Sequence, residues 1–133
     1  KEFPLLLIGF RTMSLTGEYL ANPPFMTKNL WDTVLKGKDL FVELNPQTAQ
    51  SLGLGEGSHA MLKTPRGEVS VCVHLYGGAR AGVVYIPEGL GHTAYDEYIQ
   101  GKGVNANSIF EVQMDPVTGL GTVWATRAQL RRA

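Results

Sequence analysis

The stretch Val42–Pro87, VELNPQTAQSLGLGEGSHAMLKTPRGEVSVCVHLYGGARAGVVYIP, decides the fold. Asn45 is a good helix N-cap, and Pro46 suits the first helical position because its missing N–H costs nothing there. Ala49 and Leu52 can pack inward, and Gly53 can take the left-handed position past the helix end. LGLGEGS is a glycine-rich turn, HAMLKT is a strand, and Thr64-Pro65-Arg66-Gly67 is a turn with Pro65 second and Gly67 fourth. Val69, Val71, Val73 and Leu75 then alternate, as in a strand with one buried face. GGARAG returns the chain into VVYIP, a buried strand.

Working outward, PLLLIGF (Pro4–Phe10) reads as a fully buried strand closed by glycine. RTMSLTGEYLANPPFMTKN reads as a loop, from its Pro-Pro and asparagines. LWDTVLKG suits one or two helical turns, with Leu30, Val34 and Leu35 on one face and Gly37 at the end. LFVEL is a strand. EGLGHTAYDEYIQGKGVNANS is a long polar loop with a helical turn expected near Tyr95–Ile99, and loops of that length in small domains usually carry function. IFEVQM suits a short strand, DPVTGLG a turn and TVWATRAQL a final strand. Six or seven short strands with one clear helix predict a mainly β closed barrel. A glycine turn precedes a strand in both LGLGEGSHAML and YGGARAGVVYI, which suits pseudo-symmetry.

The 133 residues amount to one domain spanning 1–133, and the hydrophobic share of 44% is globular. Lys+Arg and Asp+Glu balance at 12 each, so no global field attracts nucleic acid or an anionic membrane. No run reaches ~18 apolar residues, so no membrane span is expected. FPLLLIGF is too short, and lacks the basic leader, for a signal peptide. Nothing fixes the compartment. The start at Lys1 is read as an excised domain or a processed chain. Cys72 has no disulfide partner and is read as a small buried hydrophobe. His59 and His74 read as surface or rim residues. No metal-ligand spacing, nucleophile motif or phosphate loop is present, and no carboxylate pair is placed for acid–base work.

The order of PLLLIGFR, VELNPQTAQSLGLGEGS, KTPRGEVSVCVHLYGGARAGVVYIPEGLGH, VNANSI, DPVTG and WATRAQL resembles the C-terminal molybdopterin dinucleotide-binding domain of the dimethyl sulfoxide reductase superfamily. The resemblance covers nearly the whole chain. It implies a double-psi β-barrel, the last domain of a large catalytic subunit. That barrel closes over molybdopterin guanine dinucleotide carrying molybdenum or tungsten, for electron transfer with a small substrate. Iron–sulfur clusters would belong to upstream domains and to an electron-transfer subunit, and the domain alone would not be catalytic. The loop after the first strand offers Gly9, Arg11, Thr12 and Ser14, suited to a phosphate or a pterin edge. Glu88, Gly89, Gly91 and His92 are expected to face a pterin, and Asn105 and Asn107 to donate to and accept from pterin or guanine. Arg127 either contacts the cofactor or braces the rim. Each of these residues can also be read as a turn or rim position held for packing. The first loop lacks the histidine common in the family and looks more like the polysulfide, thiosulfate or tetrathionate reductase branch. Gly57-Ser58 replaces a common Gly-Asp, with serine expected to bond the turn backbone. An alternative is a metal-free structural barrel in a respiratory complex.

Overall fold

A computed structural model describes residues 2–12, 28–93, 97–98 and 100–133. Six strands close into a barrel: β1 (Leu5–Phe10), β3 (Asp39–Leu44), β4 (His59–Thr64), β5 (Gly67–Leu75), β6 (Val83–Pro87) and β9 (Arg127–Arg132). Around the ring the order is β3, β5, β4, β9, β1, β6 and back to β3. Two neighbouring pairs are parallel. β1 runs beside β6 with Leu6 opposite Val83 and Phe10 opposite Pro87, and β3 runs beside β5 with Phe41 opposite Cys72. The other four contacts are antiparallel. Closure leaves these strands no free edge, which is how a sheet of such short strands avoids unpaired amides. With its two parallel pairs, this is the double-psi β-barrel.

Period-two alternation fills the interior. Leu5 and Leu7, then Leu40, Val42 and Leu44, then Ala60 and Leu62, then Val71 and Val73 all point inward and are buried. Ile86, Ala128 and Leu130 complete the wall. β1 is therefore half-buried rather than fully buried: Leu6 and Ile8 lie on its outer face and are partly exposed.

The helix α1 (Pro46–Ser51) begins as expected. Asn45 Oδ1 accepts the Gln47 amide at 2.9 Å, and Gly53 sits at φ +69° past the helix end. Asn45 also donates through Nδ2 to the Ala79 carbonyl at 2.9 Å, tying the helix start to the β5–β6 return. Ser58 performs the turn-bonding role expected of it, its Oγ accepting the Gly55 amide at 2.9 Å.

LWDTVLKG departs from expectation. Residues 31–35 form a turn closed by the Trp31 carbonyl, and Leu35–Lys36 is a short strand, β2, paired with Asp39–Leu40. Gly37 opens the two-residue hairpin loop at φ +63°. Pairing buries Leu35 beside Leu40, a gain that a single exposed helical turn cannot match. The IFEVQM strand shrinks to β7 (Gln113–Met114), paired with β8 (Gly121–Thr122), while Ile109 and Phe110 enter the core from a 3-10 turn at Ala106–Ser108. The final strand starts at Arg127, because Thr126 turns inward and donates to Val123 O through its hydroxyl. Ser14, with residues 13–27, and most of the turn expected near Tyr95–Ile99 lie outside the described residues.

Candidate functional site

Because β1 and β6 are parallel, both release the chain at the same end of the barrel, and the Glu88 amide donates to Phe10 O at 2.9 Å just beyond them. Gly9 is what lets the Glu88 side chain lie against β1. A Cβ at Gly9 would run into the Glu88 carboxylate and come 2.9 Å from the Phe110 ring. Arg11 Nε lies 3.7 Å from Glu88 Oε2, with Arg11 64% and Glu88 30% exposed, so the pair is a rim contact of small energy that aims the guanidinium.

The next turn depends on backbone proximity. Gly91 has φ +82°, and a Cβ there would collide with the Asn105 amide nitrogen and the Val104 carbonyl carbon. Only glycine permits this approach. The two segments are then laced together: Gly91 N donates to Lys102 O and Gly101 N to His92 O, both at 2.9 Å. Asn105 caps the 3-10 turn, its Oδ1 accepting Asn107 N at 3.1 Å. His92 Nε2 lies 3.2 Å from Gly89 O.

The product is an open cleft of about 500 Å³ lined by Gly89, Leu90, Gly91, His92, Thr93, Asn105 and Asn107. Five of the residues expected from the sequence thus meet in one place: Gly89, Gly91, His92, Asn105 and Asn107. With Asn105 Oδ1 engaged in the cap, its Nδ2 donors remain for a ligand, and the Asn107 side-chain amide has no partner among the described residues. The floor is backbone and the wall is amide, a lining that suits the edge of a polar heterocycle.

The remaining expected residues are distributed differently. Gly9, Arg11 and Glu88 form the adjacent rim. Thr12 lines a second hollow of about 400 Å³ with Phe10, Leu30, Trp31 and Glu43, and its buried Oγ1 has no hydrogen-bond partner among the described residues. Burial pushes the Glu43 carboxyl above its ordinary range, partly offset by His74. Arg127 stands at the start of β9 and donates to the carbonyls of Phe3 and Pro4, at 3.4 and 2.8 Å, at the other end of β1. There it braces the N-terminal segment.

Thr64 supports the site without a ligand role, and sequence reasoning missed it. Its buried hydroxyl donates to Ile109 O at 2.6 Å and accepts the Arg66 amide at 3.2 Å. The TPRG turn is thereby fastened to the segment that carries both asparagines. A threonine at the first position of a turn, ready to accept from the backbone two residues on, was the available signal. Glu68 takes a 2.7 Å contact from Arg131 Nη2.

Residues 13–126 match the family described as "Molydopterin dinucleotide binding domain". The chain belongs to the molybdopterin dinucleotide-binding domain family. It is 38% identical over 121 residues to the menaquinone reductase, molybdopterin-binding-like subunit, of Nitratidesulfovibrio vulgaris, covering 91% of this chain and 17% of that protein. It is 27% identical over 146 residues to a tetrathionate reductase subunit from Salmonella typhimurium, covering 98% and 13%. It is also 27% identical over 126 residues to the arsenate respiratory reductase molybdopterin-containing subunit of a Shewanella species, covering 89% and 15%. The chain therefore spans between about an eighth and a sixth of the length of these relatives. In structure it superposes on acetylene hydratase from Pelobacter acetylenicus with TM-score 0.74 at 22% identity, covering 99% of this chain and 19% of that one, which shows the shared barrel. A domain of this family binds a molybdopterin dinucleotide in molybdopterin oxidoreductases.

Proposed function

We propose that this barrel holds molybdopterin guanine dinucleotide, carrying molybdenum or tungsten, and closes the active site of a larger respiratory oxidoreductase that acts on a small, sulfur-containing substrate. The observation that carries the reading is the cleft in which Gly89, Gly91, His92, Asn105 and Asn107 converge. Asn105 Nδ2 and the Asn107 amide would bond the cofactor's heterocyclic edge, and the Gly89–Gly91 backbone would lie against it. Arg11, aimed by Glu88, would take a phosphate, and the Thr12 hydroxyl, without a hydrogen-bond partner among the described residues, would accept or donate beside it. The bound group would supply the redox chemistry. This chain's residues bind it, orient it and exclude water, and none of them is assigned a catalytic step.

The partners in this reading are the other domains of the same polypeptide and an iron–sulfur electron-transfer subunit, with iron–sulfur clusters held outside this chain. Val112, Met114, Val117, Leu120 and Trp124 are large apolar residues exposed around β7 and β8, a surface suited to packing against another domain. Among the described residues, no helix is long and apolar enough to cross a membrane.

The test is Asn105→Ala with Asn107→Ala in the intact parent protein. Both side chains are exposed, so folding should persist while pterin retention weakens about tenfold or more, as for loss of hydrogen bonds worth ~1–3 kcal/mol. Unchanged pterin content and activity would reject the assignment. A second reading, a metal-free barrel kept for assembly, is favoured by the name of one relative, a "molybdopterin-binding-like" subunit. An active parent preparation containing no pterin would select it.

A further inference from the structure

The outer face of β3, β4 and β5 carries a grouping invisible in the sequence spacing. His59 and Cys72 face each other in the β4–β5 register, and Cys72 stands beside Phe41 of β3. Asp39 lies two residues before Phe41 and so projects to the same outer face. The three residues come from positions 39, 59 and 72, with no short ligand motif among them. Yet one ligand atom from each lies within 4.8 Å of the other two, and Cys72 Sγ is 3.4 Å from His59 Nδ1. The antiparallel β3–β6 register puts Asp39 at the cleft end of the barrel, and Lys38 O accepts the Gly103 amide at 3.0 Å, yet none of the three residues lines the cleft.

The arrangement has the character of a binding site. Cys72 is 3% exposed and forms a floor, while His59 and Asp39 are exposed and form a rim. Neither rim side chain has another hydrogen-bond or ion-pair partner among the described residues. The scaffold beneath is fixed: Asp39 pairs with Lys36 in the β2–β3 hairpin, and His59 O accepts the Ala133 amide at 3.1 Å. A mixed sulfur, nitrogen and oxygen donor set is what zinc accepts. Ideal tetrahedral bonds to sulfur and nitrogen place those two atoms about 3.5 Å apart, close to the distance found here. Asp39 is exposed, so its side chain is free to change rotamer toward the same point.

We propose that Asp39, His59 and Cys72 form a zinc site, with water as the fourth ligand, that staples the β2–β3 hairpin to the β4–β5 pair. On binding, the Cys72 S–H bond breaks, its proton passes to solvent and the thiolate bonds zinc, with no change of oxidation state. The proposal does not depend on which cofactor the cleft holds.

The experiment uses the intact parent polypeptide, equilibrated with zinc, freed of excess and assayed for bound zinc by mass spectrometry. Wild-type protein should hold about one zinc per chain more than either Cys72→Ala or His59→Ala. Because His59 is exposed, its variant keeps the test decisive even if Cys72→Ala misfolds. In parallel, zinc should protect Cys72 from alkylation, and a chelator should restore the reaction. Equal zinc in wild type and His59→Ala, or alkylation of Cys72 indifferent to zinc, would overturn the proposal.

Discussion

Two turns grip the same segment, residues 104–109, and they do so by opposite means. The Thr64–Gly67 turn uses a side chain: a buried hydroxyl donates to Ile109 O. The Gly89–Gly91 turn uses the absence of one: Gly91 lets two backbones touch at Asn105. The first turn is locally legible, since Pro65 and Gly67 announce it. The second has a glycine in its sequence, but the reason for that glycine lies at Asn105, well beyond the reach of any local pattern. The cleft is assembled from both sides, so the TPRG hairpin also positions the asparagines.

The largest expected effect breaks the second grip. Gly91→Ala places a Cβ against the backbone at Asn105 at a strained φ, and should cost more than about 2 kcal/mol of stability while releasing cofactor. Chemical denaturation together with pterin content of the parent checks this, and wild-type values in both would show the close approach to be dispensable.

Breaking the first grip should cost less. Thr64→Val keeps the shape but leaves the Ile109 carbonyl and the Arg66 amide without this partner, a loss of about 1–3 kcal/mol. If the shared segment is what matters, pterin retention should fall as well. A stability loss with full retention would mean that the hairpin supports only the barrel.

The smallest effect lies in a turn that touches neither grip and serves as a control. Hydrogen bonds from the Val117 amide and the Thr118 hydroxyl hold the Asp115 carboxyl below its ordinary 3.8. A depressed folded value means the contribution is present above that ordinary value and is lost as pH falls through the folded one. The β7–β8 turn should loosen only below about pH 3.8, with the cleft unaffected. An NMR titration of Asp115 with a midpoint at or above the ordinary value would contradict the hydrogen-bonded geometry.

Cys72 offers a related contrast. Burial, with the Asp39 carboxylate nearby, pushes its thiol above the usual range, so without a bound cation it behaves as the small apolar residue its neighbours VSV and VHL suggest. Only the pairing of β4 with β5 and of β5 with β3 brings His59 and Asp39 to it.

The sequence by itself determined the parts governed by near neighbours. The α1 cap at Asn45-Pro46, the end at Gly53, the TPRG turn and the alternation of Val69, Val71 and Val73 follow from dihedral preference and period-two patterning over a few residues. Those parts, in that order, also carried the family resemblance, and the cofactor class with it. Tertiary structure decided where local signals are weak or silent. LWDTVLKG became a turn and a β2 strand because Leu35 buries itself against Leu40, a gain available only once the barrel exists. Arg127 went to the Phe3 and Pro4 carbonyls because β9 pairs with the start of β1. The cleft itself, Gly91 on Asn105 and Thr64 on Ile109, rests on contacts between distant positions, whose ordering is repaid only when the whole core closes.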